Sequence, residues 1–217
     1  MWRARYRDVA GKEHAQHFAK KADAQDWLDD VTTSVRTGTY VDPKDAKTTV
    51  EQWCKQWLDG YAVHRVSTVR QARTHIAQIN TEFGSVPLSA VRPSAVKGWT
   101  AKLKASGMAD SYVYALNNRL KQILDDAAHD GLIARNPCSR RTSPPMGKQK
   151  PYVATTEQMW ALYEAMPGHL RVSILLGAFA GLRIAEVSAL RVSDVDFVRG
   201  VVHPVQQWPN DPLKTKG

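Results

Sequence analysis

At 217 residues, 43% of them apolar, the chain is long enough for one large or two small domains, and no run of about 18 apolar residues offers a membrane span. No apolar stretch follows the basic Met-Trp-Arg-Ala-Arg start, so no secretory signal is read there and a cytoplasmic location is expected. A formal charge of +9 points to a polyanionic partner, of which nucleic acid is the commonest. The two cysteines, Cys54 and Cys138, lie far apart in no metal or redox spacing and read as free thiols.

Residues 2–7 (WRARYR) alternate, which predicts a half-buried strand with Trp2, Ala4 and Tyr6 on one face and Arg3, Arg5 and Arg7 on the other. Asp8 to Gly11 is a turn, and Lys12 to Phe18 returns as a second strand. Ala22 to Val35 carries Ala24, Trp27, Leu28, Val31 and Val35 on one helical stripe, which Gly38 ends. A hairpin with one helix is a marginal unit, so either a strand is missing or the module leans on its neighbour. Residues 42–47 form a polar linker.

Four helical patterns follow. Thr49 caps the first, with Trp53, Trp57 and Tyr61 inward. Thr68 is expected to cap the second, carrying Val69, Ala72, Ile76 and Ile79, with Arg70, Arg73 and Gln78 outward. Ser94 to Lys104 buries Val96, Trp99 and Leu103 behind Pro93. Asp110 to Asp130 buries Val113, Leu116, Leu120, Ile123 and Ala127. Residues 47–134 therefore read as a compact all-α domain. Asn136 to Pro151 is Pro- and Ser-rich; between Gly131 and Thr156 stand five Lys or Arg and no acid. That basic linker, with Arg140 and Arg141, is either a solvated tether or a strap along a phosphate backbone. Thr155 to Ala165 begins a new helix at a Thr cap, His169 to Phe179 reads as a buried helix, and after Gly181 a short helix runs from Arg183 to Leu190. Val201 to Val205 is a strand, and the end PNDPLKTKG begins a turn.

No phosphate-binding loop, metalloprotease motif, nucleophile elbow or paired metal-ligand cysteines occur. Asp194 and Asp196 read as turn and capping residues, and no metal site or cofactor is expected. Arg183 stands out: it opens a helix, where unpaired N–H groups favour an anion, and its planar fork holds a phosphate by two bonds. Glu186, three residues on, lies on the same helical side. A plain intrahelical Arg–Glu pair is the competing reading of these two residues.

The stretch AGLRIAEVSALRVSDVDF resembles the first active-site motif of the tyrosine recombinases, the phage integrase family, and LKTKG looks like the start of that family's lysine-bearing hairpin. STVRQARTHIAQINTEFGSVPLSAV and LDDAAHDGLIARNPC resemble its helical core-binding domain; WRARYRDVAGKEHAQHF followed by KADAQDWLDDV resembles its small arm-type DNA-binding domain. The resemblance implies a mainly α fold with small β parts. Its pieces are an arm-type sheet-plus-helix domain at 1–41, missing its first strand, a four-helix (SAM-like) core-binding domain at 47–134, a basic linker at 135–151, and the N-terminal half of a mixed α/β catalytic domain at 152–217.

The resemblance further implies cleavage of DNA by a tyrosine through a 3′-phosphotyrosine link, without metal or cofactor. Arg183 would hold the phosphate and Glu186 support it. Lys214, with Lys216 as runner-up, would protonate the leaving 5′-oxygen. The family's His-x-x-Arg box and late nucleophilic tyrosine do not follow Lys214, so the chain is expected to be an incomplete recombinase that binds DNA without cutting it. DNA contacts are expected from Thr68, Arg70 and Arg73 on one helix and from Ser111, Tyr112, Tyr114, Asn118 and Lys121 on another. Arg3, Arg5 and Arg7 would take a separate arm-type site. Implied partners are core-type and arm-type duplex DNA, a host DNA-bending protein and an excisionase. A tetramer on DNA is expected of the full-length protein and a monomer of the fragment. A non-catalytic regulator derived from an integrase and a basic all-α interaction module are the competing functions.

Overall fold

The computed structural model describes residues 1–8, 11–38, 40–42, 45–147, 150–209 and 211–212. Two compact units divide the chain, 1–148 and 149–217. The fold is mainly helical with small strands. The first unit opens on strands β1 (Trp2–Arg7) and β2 (Glu13–Phe18), antiparallel in the register Trp2 to Phe18 through Arg7 to Glu13. Helix α1 (Lys21–Arg36) lies on the sheet: Ala4 and Ala24 are buried, and Trp27 packs edge-on to Tyr6 and tilted against Phe18. Small residues at the crossing admit the helix, and the aromatic rings around them supply the apolar area. Gly38, at φ +68°, stands just past the helix end, in a conformation other residues rarely adopt.

A polar cluster ties this small layer together. Tyr6 and Tyr40 share a hydroxyl hydrogen bond of 2.7 Å, His14 stacks on Tyr6, and His14 Nε2 lies 2.8 Å from Asp8 Oδ2. Lys12 Nζ donates to Asp42 Oδ2 at 2.6 Å. Burial, aided by the bond with Tyr6, pushes the Tyr40 hydroxyl well above its usual range. None of these ties was legible from local pattern, because they join residues as far as 34 positions apart.

Helices α2 (Val50–Gly60), α3 (Val66–Phe83), α4 (Pro93–Ala105) and α5 (Asp110–His129) enclose one core. Thr49 caps α2 in a reciprocal box with Gln52. Trp53 donates its indole N–H to the Ile123 carbonyl at 2.8 Å, and Trp57 donates to Asp126 at 2.6 Å, so both large rings are buried with their polar atoms satisfied. Trp99 meets Phe83 edge-to-face across α4 and α3. Thr68 does not cap α3: the helix begins two residues earlier, behind extended Arg65, and places Thr68 inside its first turn. Burial pushes the Cys54 and Cys138 thiols up to about 12, as expected of inert core thiols.

The stretch expected as a free linker begins as part of this bundle. Asn136 donates to the Lys121 carbonyl and to Asp125, Cys138 enters the core, and Thr142 is buried in a turn with Ser139.

His75 sits 5% exposed on α3 against the ring of Tyr112 on α5. Burial, reinforced by the positive charge of Arg119, holds it below the ordinary histidine value of about 6.5. Its neutral form is therefore the folded form. The stabilising contribution is complete above about pH 6.5 and is lost as pH falls toward the lower folded value, because the unfolded chain takes the proton first. Urea midpoints should fall between about pH 7.5 and 5.5, with a shallower pH dependence in His75→Gln; equal slopes in the two proteins would contradict this assignment.

The second unit holds α6 (Thr156–Ala165), α7 (Arg171–Phe179) and the single turn α8 (Ile184–Val187). Thr155 and Gln158 form the expected capping box. Helix α7 is not the buried helix its apolar run suggests: none of its residues is fully buried and Phe179 is 70% exposed. It packs on α6, α8 and the short turn at Gly168–Leu170, which leave much of its largely apolar surface uncovered. The expected helix 183–190 shrinks to one turn, after which a 3₁₀ turn (Val192–Asp194) leads into strands β3 (Val195–Asp196) and β4 (Val201–Val202), a minimal hairpin. A second hairpin, β5 (Gln206–Gln207) with β6 (Asp211–Pro212), replaces the expected continuation of one strand to Val205. The Trp208 N–H bonds to the Ala185 carbonyl at 2.7 Å and anchors the hairpin on α8.

Candidate nucleic-acid interface and phosphate site

Arg3, Arg5 and Arg7 project from the exposed face of β1, opposite Ala4 and Tyr6. Arg5 pairs loosely with Glu13 at 3.7 Å, whereas Arg3 and Arg7 have no ion pair among the described residues. Lys21 lies over the Trp2 ring at 5.6 Å, adding charge to the same end of the sheet.

On α3, Arg70 and Arg73 are exposed and free of ion pairs among the described residues. Thr68 falls near the inward side of the helix and is half-buried, so the three residues do not form one stripe. Ser67, Gln71 and Thr74, absent from the expected set, share the outer side with Arg70. A shallow depression of about 410 Å³ runs along Ser67, Thr68, Arg70, Gln71 and Thr74. Helical period would have added Gln71 and Thr74, three and four residues on from Thr68 and Arg70.

On α5, Ser111, Tyr114, Asn118 and Lys121 follow one another at steps of three and four and make a single exposed to half-exposed stripe. Tyr112 leaves this set: it packs against the core and the His75 ring. Its position, one residue beyond Ser111, turns it about 100° toward α3. Lys121 pairs with Asp125 one turn on. Burial works to raise the Asp125 carboxyl, but hydrogen bonds from Lys121 and Asn136 outweigh it and hold the group below its usual range. Arg140 and Arg141 are exposed in the turn that follows Cys138.

Arg183 occupies the N-cap position of α8 in extended backbone, after Gly181 at φ +67° has ended the α7 run. The Glu186 carboxylate closes the turn twice, accepting from the Arg183 backbone N–H at 2.9 Å and from Nη1 at 3.0 Å. Those backbone and side-chain bonds hold the Glu186 carboxyl below its usual range. The Glu186 side chain is 11% exposed and the Arg183 side chain 83% exposed, so the carboxylate is fixed and the guanidinium is held at the surface, facing solvent. Asp194 accepts from the Arg191 N–H, and Asp196 accepts from the Val198 and Arg199 N–H groups, the turn roles expected of them. Lys214 and Lys216 lie outside the described residues.

One group of potential metal ligands occurs among the described residues, and sequence reading did not foresee it: Asp8, His14 and Asp42 bring their ligand atoms within 4.8 Å of one another. The Lys12 ammonium already bonds Asp42 there, which makes this an ion-pair cluster rather than an open cation cage.

The arrangement is a helical bundle with polar faces that carry Arg70, Arg73 and Lys121, joined in sequence to a unit that presents a buttressed arginine. Solved structures share this architecture. The chain matches lambda integrase, in a tetramer bound to a Holliday junction, with a TM-score of 0.63 at 16% identity over 93% of this chain and 66% of that one. It matches the Tn1549 transposon integrase, in complex with a circular intermediate DNA, with a TM-score of 0.65 at 21% identity over 77% and 58%. The fold is that of DNA-bound integrases. Among curated proteins, the chain is 27% identical over 206 residues to the tyrosine recombinase XerC-like protein of Caldanaerobacter subterraneus subsp. tengcongensis, covering 88% of this chain and 52% of that protein. It is 23% identical over 200 residues to the integrase of Mycobacterium phage D29, covering 83% and 49%. The chain is thus similar over most of its length to proteins named tyrosine recombinase and integrase, and it spans about half the length of the curated relatives it matches. No protein-family model matches it.

Proposed function

We propose that the chain is the DNA-binding portion, with the first part of the catalytic domain, of a site-specific tyrosine recombinase. The observation that carries this reading is Arg183, whose exposed guanidinium is held by the fixed Glu186 carboxylate in a chain similar to recombinases. In this reading α3 and α5 lie against a core-type duplex, Arg70, Arg73 and Lys121 position the phosphates, and Tyr114 and Asn118 reach toward base edges. Arg3, Arg5 and Arg7 take a separate arm-type duplex. Expected further partners are a host DNA-bending protein and an excisionase, with a tetramer on DNA for a protein of full length and a cytoplasmic location.

The chemistry follows from charge. A tyrosine oxygen attacks a backbone phosphate, a 3′-phosphotyrosine forms, and the 5′-oxygen leaves with a proton. Arg183 stabilises charge that builds on the non-bridging oxygens, and Lys214, or Lys216, supplies the proton. Glu186 positions Arg183 and takes no proton, since its carboxyl is held in the ionised form. In this reading the 217 residues, in which no tyrosine follows Tyr163, are expected to bind DNA without cutting it.

The chain should bind duplex DNA with an affinity that falls steeply between about 50 and 200 mM salt. Arg70→Ala and Arg73→Ala should each lower the slope of log affinity against log salt by about 1. Failure to bind at about 50 mM salt, or binding indifferent to salt, sinks the reading. A regulator that binds without cutting is separated from a recombinase by a covalent protein–DNA product on a nicked substrate, formed only by a recombinase of the relatives' full length.

A further inference from the structure

The stripe on α5 does not end at Lys121. Asn136 donates to the Lys121 carbonyl and to Asp125, and so fastens the head of the 135–151 segment to the helix at that point. Beside Asn136 opens a groove of about 480 Å³ between this segment and the start of α4. Its floor is the buried pair Leu88 and Ile133; Arg92 and Arg135 stand exposed on its walls. No acidic residue lines it, and neither arginine has an ion pair among the described residues. Two contrasting pockets on the same unit lie along α2 and the end of α5: Asp126 and Asp130 line one, and Asp45, Asp59 and Asp130, with Lys55 among them, line the other. A polyanion is repelled from that acidic side and attracted to the Arg92–Arg135 side.

We propose that the Arg92–Arg135 groove seats backbone phosphates of the same duplex that α3 and α5 engage, extending the DNA footprint from the bundle onto the head of the interdomain segment. Three observations converge: two uncompensated guanidiniums face one groove, the groove adjoins the α5 stripe through Asn136, and the chain beyond it adds Arg140 and Arg141 with no acid before Thr156. Arginine suits the task because its fork grips a phosphate by two bonds. Both side chains are surface groups, so their removal leaves no void in the core.

The inference rests on the DNA-binding reading, and the test separates the two. Binding of a duplex by the 217-residue chain is followed by fluorescence anisotropy from about 50 to 200 mM salt, for the parent, Arg92→Ala/Arg135→Ala and Arg70→Ala/Arg73→Ala. The groove variant should lower the salt slope by about 2, one for each lost phosphate contact, while its urea midpoint stays at the parent value. A parent slope in the groove variant, alongside a lowered slope in Arg70→Ala/Arg73→Ala, overturns the proposal, leaves the DNA reading intact and assigns the groove to a protein segment. Absence of binding by the parent removes both.

Discussion

If the proposed function holds, Arg183→Ala should lower strand cleavage about 100- to 1,000-fold in a protein of its relatives' full length, while duplex binding holds. The two effects separate because of where the side chain stands. It is 83% exposed, so its truncation empties no packed space. The turn it opens survives, since Glu186 still accepts the N–H of residue 183, a contact the backbone alone supplies. What disappears is one charged fork aimed outward, and such a donor acts on charge that appears only as the phosphate reacts. Arg183→Lys restores the charge but not the bidentate geometry, and recovers only part of the rate. The readout is covalent protein–DNA product on a nicked duplex, beside gel-shift affinity for the uncut duplex. Parent-level cleavage in Arg183→Ala would take the residue out of the active site and return the Arg–Glu pair to an ordinary surface contact.

Sequence legibility followed the length of each signal. Helices α2 and α5 were readable because a stripe of apolar residues recurs over three or more turns, and α2 carries a Thr cap with Gln three residues on. The start of α3 was not, because its first residues, Val66 and Ser67, are exposed and break the stripe. Composition alone made α7 look buried, since an apolar run reports what a helix offers to bury and not how many neighbours cover it. The β3–β4 and β5–β6 hairpins have strands of two residues, too short for alternation to register. At the candidate site, the spacing of Arg183 and Glu186 gave the ion pair directly, whereas the second bond, from the Arg183 backbone, depends on extended φ and ψ that no residue type dictates. The Arg92–Arg135 groove was invisible for a different reason: its walls are 43 positions apart and meet only because Asn136 and Cys138 fold the segment back onto the bundle.

Trp99→Ala should cost the bundle about 3–5 kcal/mol. Trp99 is 2% exposed and is the largest of the fully buried side chains. Its ring meets Phe83 at 5.4 Å, so α4 is joined to α3 through an aromatic pair. Removing the indole strips that pair and leaves a void that Val96 and Leu103, the neighbouring buried residues of α4, are too short to fill. A domain stable by about 5–15 kcal/mol keeps little after such a loss. DNA affinity should fall with it, because the polar faces of α3 and α5 are aligned only while both helices share the core behind them. Trp99→Phe, which keeps an aromatic ring in the space, should lose much less and bind DNA as the parent does. Urea unfolding followed by near-ultraviolet circular dichroism, with anisotropy on the same samples, distinguishes the outcomes. An Ala variant with the parent's midpoint would mean that α4 is held from elsewhere and that the Trp99–Phe83 contact is not central to the bundle. An Ala variant that is destabilised yet binds DNA normally at low temperature would place the loss in the fold alone, with the interface re-formed whenever the core is.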